Sequence, residues 1–265
     1  MRVFISADIE GCTGVTTWDE TFYGKPGYAE AAEQMNKEVA AAARGALAAG
    51  ADEVVVKDGH EDAMNIQPSA MPRGVKVLRG WTQDIDAMMA GVGGGFDCAF
   101  YIGYHAEAGS SSSPLSHTTE FPILQKALLN GKPMAEFDVN ALAAARHGVP
   151  SALITGDKGI CDKASESCPW IKTVAVKEGV SGGTLNMHPE EACELIEEAA
   201  KAAVSEKNFR CAEIPEHFEM ELTYKYHTRA KKASTYPGAV LKDDCTVTYE
   251  TDDVADLLEA YSFMV

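Results

Sequence analysis

Short apolar runs recur along the chain, separated by longer stretches with helical spacing. Val3 to Ile5 opens the chain as a buried strand, and Gly11 breaks the run that follows. Tyr28 to Ala49 is rich in Ala and Glu and stops at Gly50, which predicts a helix with a glycine terminator. Glu53 to Lys57 reads as a second buried strand. Strand, helix and strand in this order form a βαβ unit, which implies a parallel sheet. The pattern continues with a short strand at Val75 to Leu78, a short helix at Thr82 to Ala90 and a buried strand at Asp97 to Ile102. Gly103 to Pro122 is rich in Gly and Ser and predicts a flexible loop. Leu124 to Leu129 followed by Asn130-Gly131 predicts a hairpin, because that dipeptide suits a type I′ turn. Ala135 to His147 and Lys158 to Glu166 read as helices, and Ser151 to Thr155 and the region of Val174 and Val176 as strands.

Beyond Ser181 the rhythm changes. An amphipathic helix from Pro189 to Ser205 precedes strands near Phe218 to Tyr224 and Cys245 to Glu250, and a last helix covers Asp253 to Phe263. The expected organisation is an α/β domain over residues 1–180, with a mostly parallel central sheet and flanking helices. A smaller α+β region follows over residues 181–265. The glycine run from Gly91 lacks the GxGxxG spacing and precedes a strand, which argues against a dinucleotide site.

Composition narrows the partners. Forty acidic residues against 23 basic ones give a net charge of −17, which disfavours nucleic acid and anionic membranes. No apolar run approaches the ~18 residues of a membrane span. No basic segment followed by an apolar one opens the chain. The seven cysteines are scattered with no C-x-x-C pair, so neither a zinc ribbon nor a thioredoxin-type site is indicated. A cytoplasmic location is the expectation.

The candidate chemistry sits at the ends of strands. In parallel α/β sheets ligands bind outside the carboxyl ends. The first strand exits at "SADIEG" with Asp8 and Glu10, the second at "KDGH" with Asp58 and His60, and the strand at 97–102 at "GYHAEAG" with His105. Asp8 and Glu10 are two apart, so in extended chain they share a side. Burying carboxylates is costly unless they are paired or hold a metal. Carboxylate with imidazole is a ligand set suited to Zn²⁺, and also to Mn²⁺ or Co²⁺.

The S-x-D-x-E-G pattern (Ser6 to Gly11), the D-x-H of "VKDGH", "GYHA" and the later Ser116-His117 resemble the dinuclear zinc D-aminopeptidases, bacterial metallopeptidases of the dipeptide-transport operon type. "PMAEFDVNA", "VAVK", "YPG" and "LLEAY" extend the resemblance over almost the whole chain. It implies two zinc ions per chain, held by Asp8, Glu10, His60, His105 and Glu136, with Asp8 between them. Glu136 by itself reads as an ordinary first-turn glutamate favoured by the helix dipole; only the resemblance makes it a ligand. The same resemblance makes His117 the catalytic residue, as acid, base or nucleophile. The chain departs from the pattern by one added residue between the two histidines and by its four serines from Ser110.

The implied activity is zinc-dependent hydrolysis of short peptides with an N-terminal D-residue, D-alanine for instance, through a metal-activated water. Family likeness also implies a ring-shaped homo-decamer. Among further candidates, Glu107 and Glu120 could bind a substrate ammonium, Lys177 could contact substrate or support the site, and Asp58 could orient a ligand histidine. The remaining histidines read as structural, and Trp18, Trp81 and Trp170 as core or interface. Two alternatives stay open: a metallo-amidase or aminopeptidase of other stereochemistry acting on cell-wall peptides, and a non-catalytic metal- or peptide-binding protein linked to peptide transport.

Overall fold

In the computed structural model, which describes residues 1–265, the chain builds two sheets around a shared layer of helices. The first sheet uses β1 (Arg2–Ala7), β2 (Glu53–Asp58), β3 (Lys76–Leu78), β4 (Cys98–Tyr104), β7 (Ser151–Asp157), β8 (Lys172–Val180) and β9 (Gly183–Asn186), in the order β3-β2-β1-β4-β7-β8-β9. All neighbours pair in parallel except β8 and β9. The second sheet is antiparallel and orders β11 (Val240–Leu241), β12 (Thr246–Thr251), β10 (Phe218–Tyr224), β5 (Leu124–Leu129) and β6 (Lys132–Pro133).

Alternation along β1 sorts the core. Val3, Ile5 and Ala7 face the side covered by α1 (Tyr28–Ala48) and α4 (Pro189–Glu206), where Val39, Ala43, Ile196 and Ala200 are buried. Phe4 points the other way, into a cluster with Phe137 and Ala141 of α2 (Glu136–Arg146) and Ile160 of α3 (Lys158–Ser167). Helix α2 also sends Leu142 to the third cluster, formed by the second sheet, α5 (His227–Ala233) and α6 (Val254–Met264). It is therefore sandwiched between the sheets, and its short apolar faces on both sides follow from that. No helix is long and apolar enough to cross a membrane.

The mostly parallel sheet and flanking helices match the expected fold class. The second sheet draws strands from both sides of residue 180: the β5–β6 hairpin is inserted between β4 and β7, and α4 returns to the first sheet. The hairpin turns through Asn130 and Gly131, both at positive φ, as a type I′ turn requires. At 82–90 the structure forms only a single 3₁₀ turn, Ala87–Met89, rather than a helix. Met88 and Met89 bury there, but the preceding residues hydrogen-bond among themselves, Thr82 and the Asp86 amide both donating to Asp84. The 103–122 segment is not a free loop. The Thr118 hydroxyl accepts from the Ala108 amide (3.0 Å) and donates to the Met134 carbonyl (2.9 Å), and Ser113, His117 and Thr118 are buried.

Candidate active site

The first sheet reverses its winding between β1 and β4, and a crevice opens at their carboxyl ends. Two glycines let these ends meet. Gly103 has φ +77°, and a side chain there would lie 2.2 Å from the Asp8 carbonyl oxygen. A side chain on Gly11 would lie 1.8 Å from the Tyr104 carbonyl oxygen. The Asp8 amide donates to Ile102 (2.8 Å) and the Gly11 amide to Gly103 (2.8 Å), so the Asp8–Glu10 turn is laced onto the end of β4 that carries His105. Strand β1 ends at Ala7, and the two acids converge from a turn rather than from alternation in extended chain.

The five expected ligands come together with the expected catalytic His117, in two groups: Asp8, Glu10 and His60, and His105, His117 and Glu136. His60 Nδ1 lies 3.2 Å from Asp8 Oδ1 and 3.1 Å from Glu10 Oε2. His105 Nε2 lies 3.4 Å from Asp8 Oδ2 and 3.4 Å from Glu136 Oε1. Each oxygen of Asp8 thus faces a different histidine, and Asp8 spans the two groups. His117 Nε2 lies 3.5 Å from Glu136 Oε1, and its ring stacks on His105 with centroids 4.1 Å apart.

All three imidazoles are oriented by the same device. His60 Nε2 donates to the Thr21 carbonyl (2.7 Å), His105 Nδ1 to Ala106 (2.9 Å) and His117 Nδ1 to Leu115 (3.0 Å). With one nitrogen committed to a carbonyl, the other presents its lone pair to the carboxylates. A lone pair facing an anion requires a proton or a cation between them. Asp8 Oδ2, Glu10 Oε2 and His105 Nε2 are buried and have no hydrogen-bond partner. Orphaned buried polar atoms are rare and costly. Three buried carboxylates with two facing imidazoles form a donor set suited to zinc, so the residues present fit the expected metal.

The electrostatics of these side chains run the same way. Burial opposes protonation of His60, but Glu10 and Asp8 outweigh it and hold its pKa well above the usual imidazole value. Burial likewise opposes protonation of His105, and Glu136 and Asp8 reverse it. Burial would raise Asp8, yet His105 and His60 hold it well below the usual carboxylate range. His117 behaves differently: burial and the neighbouring His105 push its pKa below the usual value.

The other candidates occupy distinct places. Asp58 does not touch the His60 ring; it accepts the backbone amides of His60 (3.3 Å), Asn65 (2.6 Å) and Ile66 (2.6 Å), shaping the loop that carries His60. Orientation of the rings falls to backbone carbonyls, which no residue type advertises. Lys177 is buried, and its ammonium donates to the carbonyls of Glu10 and Val15. Glu120 lines the site cavity of about 720 Å³, whereas Glu107 does not. Burial raises the pKa of Glu120 against the pull of Arg229. Trp18 and Trp81 are not simply core: both line this cavity, beside Phe22 and Phe121. Their position in the loops after β1 and β3 was the available signal.

The sequence profile of the D-aminopeptidase family matches residues 1–263. This chain belongs to the D-aminopeptidase family. A curated relative, a D-aminopeptidase of Bacillus subtilis, is 27% identical over 100% of this chain and 96% of its own length. Among solved structures, the Zn-dependent D-aminopeptidase DppA from Bacillus subtilis, a self-compartmentalizing protease, superposes with a TM-score of 0.92. That match has 25% identity and covers 100% of this chain and 96% of the other. The family bears out the resemblance read from the strand-exit motifs. The chain is a metallo-aminopeptidase, and the non-catalytic alternative gives way.

Proposed function

We propose that this enzyme releases N-terminal D-residues, D-alanine for instance, from short peptides with two zinc ions bound per chain. Asp8, Glu10 and His60 would hold one ion and His105 and Glu136 the other, with Asp8 standing between the two groups. The observation that carries the reading is the placement of Asp8, whose two oxygens face separate histidines while further buried donor atoms go unpaired.

When bound, zinc would supply Lewis acidity for the scissile carbonyl and lower the pKa of a water. The chain supplies the rest. His117 Nε2 is the proton-carrying atom, for its other nitrogen is committed to Leu115. Its lowered pKa keeps it neutral near pH 7, able to accept a proton and return it to the leaving amine. Glu120, which lines the cavity, receives the substrate ammonium. Lys177 and Asp58 act from beneath, fixing the turns that carry Glu10 and His60.

The enzyme works in the cytoplasm on peptides small enough to enter an enclosed chamber, assembled as a ring-shaped homo-decamer. The self-compartmentalizing character of DppA supports that assembly. The test is elemental analysis of the purified protein together with hydrolysis of D-Ala-D-Ala and L-Ala-L-Ala. The expected result is about two zinc per chain, as a two-metal site requires, and release of alanine only from the D-peptide. Cleavage of the L-peptide alone would overturn the assignment, and light scattering checks the decamer.

A further inference from the structure

One short turn touches both halves of the site. The 3₁₀ turn Trp18–Thr21 offers the Thr21 carbonyl to His60 (2.7 Å) and sets the Trp18 indole edge-on to the His117 ring, with centroids 5.1 Å apart at 79°. The indole also stacks flat on Phe121, 3.5 Å between centroids and 11° between planes, so it grips the His117 segment a second time further along. The turn is itself anchored. Glu20 Oε2 accepts from the amides of Thr16 (2.8 Å) and Thr17 (2.7 Å) and from the Thr17 hydroxyl (3.0 Å), and the Thr21 hydroxyl donates to the Trp18 carbonyl (3.0 Å).

Apart from Trp18, His117 has one ring stacked on it, and its Nε2 lies 3.5 Å from Glu136. His105 stacks below it, Leu115 fixes one nitrogen, and the outer edge would face the open cavity without Trp18. We propose that Trp18 is the positioning residue that closes the slot in which His117 stands, keeping its Nε2 aimed at the reaction centre. Trp18 acts through its ring contacts with His117 and Phe121. The inference rests on the proposed proton-transfer role of His117. Loss of this contact frees the imidazole to turn out into the cavity, and a misplacement of about 1 Å at a reacting group can cost about a hundredfold in rate.

The experiment compares Trp18→Ala, Trp18→Leu and Trp18→Phe with His117→Ala in the full-length, zinc-loaded protein. It reads kcat and KM on D-Ala-D-Ala, zinc content and melting temperature. Trp18→Ala is expected to lower kcat by about ten- to a hundredfold, with KM and zinc content near wild type. Trp18→Phe should recover most of the loss, because a phenyl edge can still meet the imidazole. Wild-type kcat in Trp18→Ala overturns the proposal. Should Trp18→Ala fold poorly, Leu against Phe decides, since both fill the space and only Phe offers a ring; equal kcat values overturn it. Wild-type turnover in His117→Ala removes the role of His117 instead, which separates failure of the catalytic reading from failure of this one.

Discussion

Replacing Lys177 with Met tests whether a buried cation beneath the site holds the ligand turn. Lys177 is 3% exposed, and its ammonium donates to the carbonyls of Glu10 and of Val15, the latter at 2.5 Å. Burial lowers its pKa, while Asp157, Cys12, Glu38 and Glu10 work to keep it charged. Methionine matches the length of the stem but leaves two carbonyls without a donor and removes a positive charge felt by the buried Glu38 and Asp157. Hydrogen bonds to a charged group contribute roughly 1.5–3 kcal/mol each, so two set a ceiling of about 6 kcal/mol. Relief of the ammonium's own desolvation offsets part of that, and removing one partner from a buried ionic arrangement costs about 3–5 kcal/mol. At roughly 2–4 °C per kcal/mol for a chain near this size, the melting temperature should fall by about 6–20 °C. Calorimetry of the metal-free protein measures this, so that zinc does not mask the loss. A variant melting within about 2 °C of wild type, under 1 kcal/mol on that scale, would refute the reasoning. Because the support runs through Glu10 and not Glu136, chelator competition should find one zinc weakened and the other unchanged.

Other consequences follow from the same geometry. His117→Ala should reduce kcat by about 10²–10⁴-fold, the range for loss of a general acid or base, while zinc content by elemental analysis stays at the wild-type level. In the metal-free protein, the protonated His60 and His105 stabilise the fold below about pH 6.5, the ordinary imidazole value, and this is lost as pH rises through their raised folded pKa values. The depressed Asp8 contributes stability above about pH 3.9 that disappears as pH falls through its folded pKa. Zinc must displace the imidazole protons, so its apparent affinity should keep rising with pH above the ordinary imidazole value of about 6.5 until the raised folded pKa values are passed, with proton release seen by titration calorimetry in two buffers; a flat profile would contradict it. Gly11→Ala would place a carbon 1.8 Å from the Tyr104 carbonyl oxygen, against backbone that cannot yield cheaply. A loss above about 4 kcal/mol in denaturant unfolding is expected, among the largest effects of single substitutions.

Periodicity along the chain determined most of the secondary structure and the mostly parallel character of the first sheet. Apolar runs broken by Gly at strand exits place Asp8, His60 and His105 on one edge, because parallel strands all end on the same side. Local chemistry of this kind is written in nearest neighbours, as at Asn130-Gly131. Tertiary structure alone decided the rest. Glu136 reads as a helix-start glutamate until α2, wedged between two sheets, brings it to 3.4 Å from His105. The three carbonyls that orient the imidazoles carry no residue signature, since every residue has one. Insertion of the β5–β6 hairpin into a sheet completed by β10, β11 and β12 depends on pairing between segments far apart in the chain, where one hydrophobic alternation fits many partners. Trp18 takes its place for a similar reason: a loop residue acquires a role only from the side chains that folding sets against it.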